Sequence, residues 1–339
     1  MKPGRILILG KIPPPVGGVT IHVSRLIEDL KRKGFSAFSF YDFTNRSLPA
    51  IFRQISLFSV IHLHTSNTYL QLIVSIFCFL TNKKLIITYH GNWGRFGYLR
   101  NLAGCVSATL TYIPIAQNPE SLVKMKVRNQ RAVLISSFIH PGYVTPLPDT
   151  ILKKLLYYRK TFTYLFCTNA SNVFFDKNGN EIYGISELIT YFSNRLDEAL
   201  VICDPSGKVE EYINNQVSYL PQNILFIIGA YDFSNTLIVS DGFIRNTTTD
   251  GDSVSIHEAL LLEIPVFATD YVTRPGPCIL YKKASDVDFV KELEKCRKSL
   301  AVSLPEHKSE NVTDKLIGLY SQCLGLKYKN IHLQKKTKA

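Results

Sequence analysis

Short apolar runs alternate with segments of helical spacing along this chain, and the pattern occurs twice. In the first half, Arg5–Leu9, Ser36–Phe40, Val60–Leu63, Leu85–Tyr89, Ile113–Ile115 and Ala132–Ile135 read as strands. Between the first two, Val19–Lys33 has Ile21, Leu26, Ile27 and Leu30 on one helical face, with Gly34 as a stop. In the second half, Tyr164–Cys167, Leu200–Cys203, Ile224–Ile227, Gly242–Arg245 and Val266–Thr269 read as strands. Helices are expected there over Tyr183–Asn194, Val209–Asn215, Asn235–Ser240 and Ser255–Leu262. Apolar strands joined by helices form parallel sheets covered on both faces. The expected fold class is therefore α/β, with two doubly wound Rossmann-like domains and a cleft between them at the carboxyl ends of their strands.

The length of 339 residues accommodates two such domains of about 150 residues each. The prolines and polar residues of Pro141–Asp149 read as the linker. This sets an amino-terminal domain at 1–145, a carboxyl-terminal domain at 150–315, and a terminal helix with a basic tail at 316–339. With 46% hydrophobic and 19% charged residues, there is apolar material for two cores, which excludes a largely disordered chain. The longest apolar run, Tyr69–Leu80, falls short of the roughly 20 residues needed to span a bilayer and reads as a buried helix. Ile6–Leu9 is too short for the apolar region of a secretory signal. The cysteine count of seven is odd, with no C-x-x-C, so reduced thiols and a cytoplasmic location are expected.

Charge is unevenly placed. Residues 1–150 hold 17 Lys and Arg against 5 Asp and Glu, and residues 151–339 hold 22 of each. A basic first half beside a neutral second half fits an anionic partner, such as a membrane surface or a phosphorylated substrate. The alternative reading is a basic surface that only aids solubility. No nucleic-acid-binding module accompanies the cations, so nucleic acid is not an expected partner. No cluster of Cys and His has metal-ligand spacing, so no metal is expected.

The chemistry concentrates in Asp241–Asp270. There the strand Gly242–Arg245 leads into a polar loop and then a helix, with Asp250 before the helix and Glu258 eight positions on. Two acids so placed can accept hydrogen bonds from sugar hydroxyls. The helix start at Gly251, Asp252, Ser253, Val254 and Ser255 can face a diphosphate with free backbone N–H groups. On spacing alone, Ser253 or Ser255 capping the helix beside solvated acids is an equal reading. In the first half, Gly17 and Gly18 follow the first strand, and Ile86–Tyr89 ends in His90-Gly91. His62 and His64 lie two apart on one strand face, where one could meet an acceptor.

The segment resembles the signature of the retaining family 4 glycosyltransferases of GT-B fold (glycosyl transferases group 1). There, a lead strand is followed by E-x7-E and then E-A-x-x-x-G-x-P-V-x-A-x-D. Here Ser240–Thr247 matches the lead, Asp250 stands for the first Glu and Glu258 for the second, with Pro265-Val266 and Ala268-Thr269-Asp270 completing the pattern. The run T-x-x-D-G-D-S-x-S-x-x-E-A-L resembles a subgroup of the same family. Pro13–Val19 is similar to the family's first loop, whose glycines pass close to donor phosphates, and His90 to its sugar-contacting His. The resemblance implies transfer of a sugar from a nucleotide-sugar donor to a saccharide or lipid-linked acceptor, with retention at the anomeric carbon. It implies no cofactor and no metal, a role in cell-surface polysaccharide assembly, and a cytoplasmic protein peripheral on the inner face of the membrane. Glu258 would contact the ribose and Asp250 the donor sugar, and closure would bring Gly17, Gly18 and His90 to them.

The family's second domain usually opens with Gly-Arg and Lys-Gly, whose cations neutralise the diphosphate. Here Ala170-Ser171 and Tyr183-Gly184 stand near those places. Arg245, Arg274 and Lys177 are the expected replacements, with an ion pair from Arg245 to Asp241 or Asp250 as the alternative for that residue. A sugar-nucleotide epimerase of the same fold, or a non-catalytic sugar-binding relative, would share most of these residues.

Overall fold

The computed structural model describes residues 5–176, 178–300 and 311–326. Lys177 and the basic tail beyond residue 326 lie outside them. The chain divides into two compact units. One takes the described residues of Met1–Pro13, Gly17–Gly142 and Glu310–Ala339, and the other those of Pro14–Val16 and Tyr143–Ser309.

The first unit runs β1 (Ile6–Gly10), α1 (Gly18–Arg32), β2 (Phe38–Asp42), α2 (Leu48–Ser56), β3 (Val60–Thr65), α3 (Thr68–Leu80), β4 (Lys84–Tyr89), α4 (Tyr98–Leu110), β5 (Ile113–Ala116), α5 (Pro119–Lys126) and β6 (Val133–Leu134). The second runs α6 (Asp149–Thr161), β7 (Tyr164–Asn169), α7 (Ile185–Phe192), β8 (Glu198–Asp204), α8 (Lys208–Asn214), β9 (Ile224–Ile228), α9 (Ser234–Leu237), β10 (Gly242–Arg245), α10 (Val254–Leu261), β11 (Val266–Thr269), β12 (Ile279–Tyr281) and α11 (Phe289–Leu300). After it, α12 (Val312–Leu324) belongs to the first unit.

Each unit holds a six-stranded sheet, ordered β2-β1-β3-β4-β5-β6 and β12-β11-β10-β7-β8-β9. The ladders between these strands are all parallel. Every residue of β1, β3, β5 and β11 is buried, because helices cover both faces of a parallel sheet. In the first unit, Val23, Leu26 and Leu30 of α1 pack with Val312, Leu316 and Tyr320 of α12 on one face. Ile51, Ile55, Val74, Cys78 and Met125 cover the other. In the second, Leu188, Phe192, Val209 and Phe289 lie on one face, and Leu155, Leu237, Ile256 and Ala259 on the other. The α/β class and the two doubly wound units are those expected. The seven cysteines are free.

The run expected to be a buried helix departs from that reading. It forms α3, but only one face is buried, and Phe79 and Leu80 are 63% and 76% exposed. The buried face carries Thr68, Gln71, Val74, Ser75 and Cys78. Small and polar side chains let α4 approach there, with Ser75 Oγ 2.9 Å from Ser107 Oγ. Asn67 caps α3 by accepting from the Tyr69 and Leu70 amides.

In the second sheet, β10 starts with Gly242 opposite Phe166 of β7. A Cβ there would stand 2.9 Å from a Phe267 ring atom and 3.1 Å from two of Phe166. Only a residue without a side chain fits between these rings. Gly242→Ala should therefore lower the unfolding free energy by about 1–3 kcal/mol, the usual cost of overpacking a core. Chemical denaturation measures it, and an unchanged midpoint would refute the packing argument.

Candidate functional site

The connections diverge in the second sheet between β7 and β10, which are neighbours there but far apart in sequence. Ligands of open α/β sheets bind outside the carboxyl ends of the strands at such a switch point. Asn169 ends β7 and Arg245 ends β10. Arg245 donates from Nη1 to Asn169 Oδ1 at 3.0 Å. It grips Asp250 in a fork, with Nε to Oδ2 at 2.8 Å and Nη2 to Oδ1 at 3.2 Å. Arg274 donates from Nη1 to the same Oδ2 at 3.1 Å. Its Nη2 reaches Thr269 Oγ1 at 2.6 Å and the Thr247 carbonyl at 3.1 Å, and its Nε reaches the Thr269 carbonyl at 2.9 Å.

The side chains are 11% exposed for Arg245, 13% for Asp250 and 2% for Arg274. Burial would raise the Asp250 pKa, but the Arg245 and Arg274 guanidinium groups override it and hold the carboxyl below its ordinary range. Burial and the charge of Arg245 push Arg274 down against the pull of Asp250. Two guanidinium groups thus share one carboxylate, and the cluster keeps a positive surplus in a place poor in water. The sequence left Arg245 either toward the phosphates or paired with an acid; it is paired with Asp250. Asp250, expected toward the sugar, has both oxygens engaged by arginine.

Around this cluster the loop 246–253 is tied down. Gly251 N donates to Asp250 Oδ1 at 3.2 Å. Asp252 lies 2.5 Å from His257 Nε2. Ser253 is the N-cap of α10 but its side chain caps no helix amide, its hydroxyl bonding instead with Ser255 Oγ at 3.2 Å. Val254 is the first residue of that helix, and Glu258 is buried within it at 6% exposure. Three residues outside the expected set complete the edge. Asn246 donates to Glu187 Oε2 at 2.8 Å and to the Gly184 carbonyl at 3.0 Å. Tyr183 lies under the Arg245 guanidinium, 5.2 Å from ring centroid to carbon. Asn246 follows Arg245 directly, but Glu187 and Tyr183 come from α7 and the loop before it, which no local spacing links to Asp250.

The first sheet has its own switch point between β1 and β3. Gly17, the N-cap of α1, is extended at φ −174°, and a Cβ on Gly17 or Gly18 would meet nothing within 4 Å. Neither glycine is required by backbone or packing, so what they leave is open space at a helix start. His90 is buried after β4, where Gln117 Nε2 donates to its Nδ1 at 3.1 Å. With that nitrogen accepting, His90 Nε2–H points to His64 Nδ1 at 3.3 Å. His64 then carries its proton on Nε2, which has no hydrogen-bond partner among the described residues. His62 is satisfied by Tyr320 Oη at 2.6 Å and Thr88 Oγ1 at 2.9 Å, so it is a core histidine and not an acceptor contact. Burial and neighbouring imidazoles hold His64 and His90 well below their ordinary range, and burial takes His62 down to about 3. Among the described residues, no group of three or more His, Cys, Asp or Glu is placed to hold a metal ion.

These tandem units define a GT-B fold. No protein-family model and no curated protein matches the chain. Solved structures do. Anabaena HepE in complex with UDP and glucose superposes with a TM-score of 0.65 at 13% identity, covering 98% of both chains. WaaG, a glycosyltransferase involved in lipopolysaccharide biosynthesis, gives 0.64 at 11% identity over 93% of this chain and 99% of that one. The trehalose-6-phosphate synthase OtsA gives 0.60 at 11% over 97% and 99%. At these identities the likeness establishes the fold.

Two outcomes follow. An unfolded imidazole takes up a proton near pH 6.5, whereas His62 in the fold resists it down to about 3. The unfolded state therefore binds more protons as pH falls below 6.5, and stability drops with it. By pH 5 His62 alone should remove about 2 kcal/mol. Unfolding curves at neutral pH and pH 5 measure it, and His62→Gln should reduce the dependence, leaving the share of His64 and His90. Asp250→Asn strands two buried guanidinium groups and should cost ~3–5 kcal/mol, a loss that a denaturant titration would either register or refute.

Proposed function

We propose that the chain is a retaining glycosyltransferase that moves a sugar from a nucleoside-diphosphate sugar to a saccharide or lipid-linked acceptor at the cytoplasmic face of a membrane, in cell-surface polysaccharide assembly. The observation that carries the reading is the positive surplus of Arg245 and Arg274 around Asp250 at the switch point of the second sheet. Buried charge needs a counter-charge, and a diphosphate supplies one. The fold shared with HepE in complex with UDP-glucose supports a nucleotide-sugar donor.

In this reading the acceptor hydroxyl attacks the anomeric carbon from the face the diphosphate leaves. The bond from that carbon to phosphate oxygen breaks, and the departing phosphate takes the hydroxyl proton. The protein orients and stabilises charge and forms no covalent intermediate. Arg245 and Arg274 receive the diphosphate, and Asp250 sets their geometry. The amides at the start of α10, from Asp252 to Val254, face the same charge. Glu258 takes the ribose hydroxyls. On the first unit, Gly17 and Gly18 leave room for phosphate, and His90, held neutral by burial, presents its ring to the sugar. No metal or cofactor takes part.

The test is a pair of affinities. Take the nucleoside diphosphate that raises the melting temperature most in a panel, together with its bare nucleoside. Arg274→Ala should raise the Kd for the diphosphate at least ~30-fold, about 2 kcal/mol, and leave the nucleoside within about twofold. Equal losses for both would sink the assignment. Proton NMR of the product's anomeric signal reports retention, and donor binding without transfer would make the protein a sugar-binding relative.

A further inference from the structure

Helices α3 and α4 are amphipathic in the wrong sense for a core. The buried residues of α4 are Ala103, Gly104, Ser107 and Ala108, and those of α3 include Thr68, Gln71 and Ser75. The large apolar side chains face outward. On α3, Tyr69, Ile73, Ile76 and Leu80 follow at intervals of four, three and four, a single stripe, and all are exposed. On α4, Leu99, Leu102 and Val106 follow at intervals of three and four beside Tyr98, and all four are exposed, Tyr98 80% and Leu99 69%. The two helices pack side by side through Ser75 and Ser107, so the stripes lie on adjoining helices of one face. Contiguous apolar surface of this kind marks an interaction site.

The charge around it selects the partner. Between Phe43 and Pro148 the chain carries Arg46, Arg53, Lys83, Lys84, Arg95, Arg100, Lys124, Lys126, Arg128 and Arg131, and one acid, Glu120. Arg95 and Arg100 sit over the Phe96 ring, just before and within the first turn of α4. On the same face of the sheet, α5 exposes Val123 beside Lys124 and Lys126, and Val127 follows it beside Arg128. A second copy of the chain would set like charges against each other. We infer that the outer face of α3 and α4 inserts its apolar side chains into the interface of an anionic lipid surface, with the flanking arginines and lysines on the headgroups. Both helices start at the carboxyl edge of the first sheet, beside His64 and His90. A lipid-linked acceptor held in that surface would thus be presented to the edge that the proposed function needs. The inference extends that reading, but it is measured without donor or acceptor, so either can fail alone.

The experiment uses the full chain and two vesicle types, phosphatidylcholine alone and phosphatidylcholine with phosphatidylglycerol. The protein should co-sediment with the anionic vesicles only, and less as salt rises, the Debye length being about 8 Å at physiological ionic strength. The double variant Phe79→Ser, Leu99→Ser changes two exposed side chains and should keep the wild-type melting temperature. It should lower the vesicle partition coefficient about tenfold, through lost apolar insertion. Three results overturn the inference. Equal binding to neutral vesicles removes the charge argument. Unchanged binding of the variant assigns adhesion to cations elsewhere, including the tail. A wild-type dimer in sedimentation equilibrium that the variant dissolves assigns the face to a second copy.

Discussion

The parallel ladder is the constraint on which the rest of the structure depends. Parallel pairing forces every strand to return through a helix, so both faces of each sheet are covered and strands such as β1 and β3 are buried throughout. Polar side chains then gather toward the carboxyl edges, where the loops begin, and those within a strand, such as His62, are bonded internally. Where consecutive connections turn to opposite sides, two loops part and leave a crevice. In the second unit that point lies between β7 and β10, where Asn169 meets Arg245. In the first it lies between β1 and β3, where a Cβ on Gly10 would lie 3.6 Å from the Cβ of His64. Neither cluster is placed by its own sequence neighbourhood alone; the topology delivers both.

The two edges treat buried ionisable groups in opposite ways. In the first unit, burial outweighs any partner, and His62, His64 and His90 stay neutral. Neutral imidazoles cost less in a dry place than charged ones, and the chain from Gln117 through His90 to His64 orders them. In the second unit, Asp250 stays ionised because two guanidinium groups outweigh its burial. A buried pair stabilises little on its own. A buried pair with a second guanidinium on the same carboxylate differs in kind, since the three groups together carry a net positive charge. That difference sets a charged second edge apart from a first edge ordered by neutral hydrogen bonds.

Local periodicity made much of this legible. Gly242–Arg245 and Val266–Thr269 are strands at both expected ends, because a fully buried strand is a bounded apolar run. Asp250 and Glu258 were legible as spacing, but their surroundings were not. Arg274 reaches Asp250 from 24 positions away, and Glu187 reaches Asn246 from α7. Such contacts are set by sheet order, which no local pattern encodes. The place of α12 in the first unit's core, with Tyr320 bonded to His62 across 258 positions, was hidden for the same reason. Lys177 lies outside the described residues.

The misreading of Tyr69–Leu80 has a different cause. Hydrophobicity was taken to point inward, and here it points outward. A helix pair whose bulky side chains face outward cannot also use them to hold its own sheet. The inward face is left to small residues and hydroxyls, so α3 and α4 come close enough for Ser75 and Ser107 to touch. Close approach flattens the outer surface and brings two apolar stripes together, which a single helix could not do. Burial of small side chains stabilises less than burial of large ones. The deficit is carried by the sheet beneath, where Ile61, Leu63, Leu85 and Ile87 are almost fully buried. A core that strong under a helix layer that weak is a division of labour. The sheet holds the unit together, and the helix layer is free to be shaped by what lies outside it.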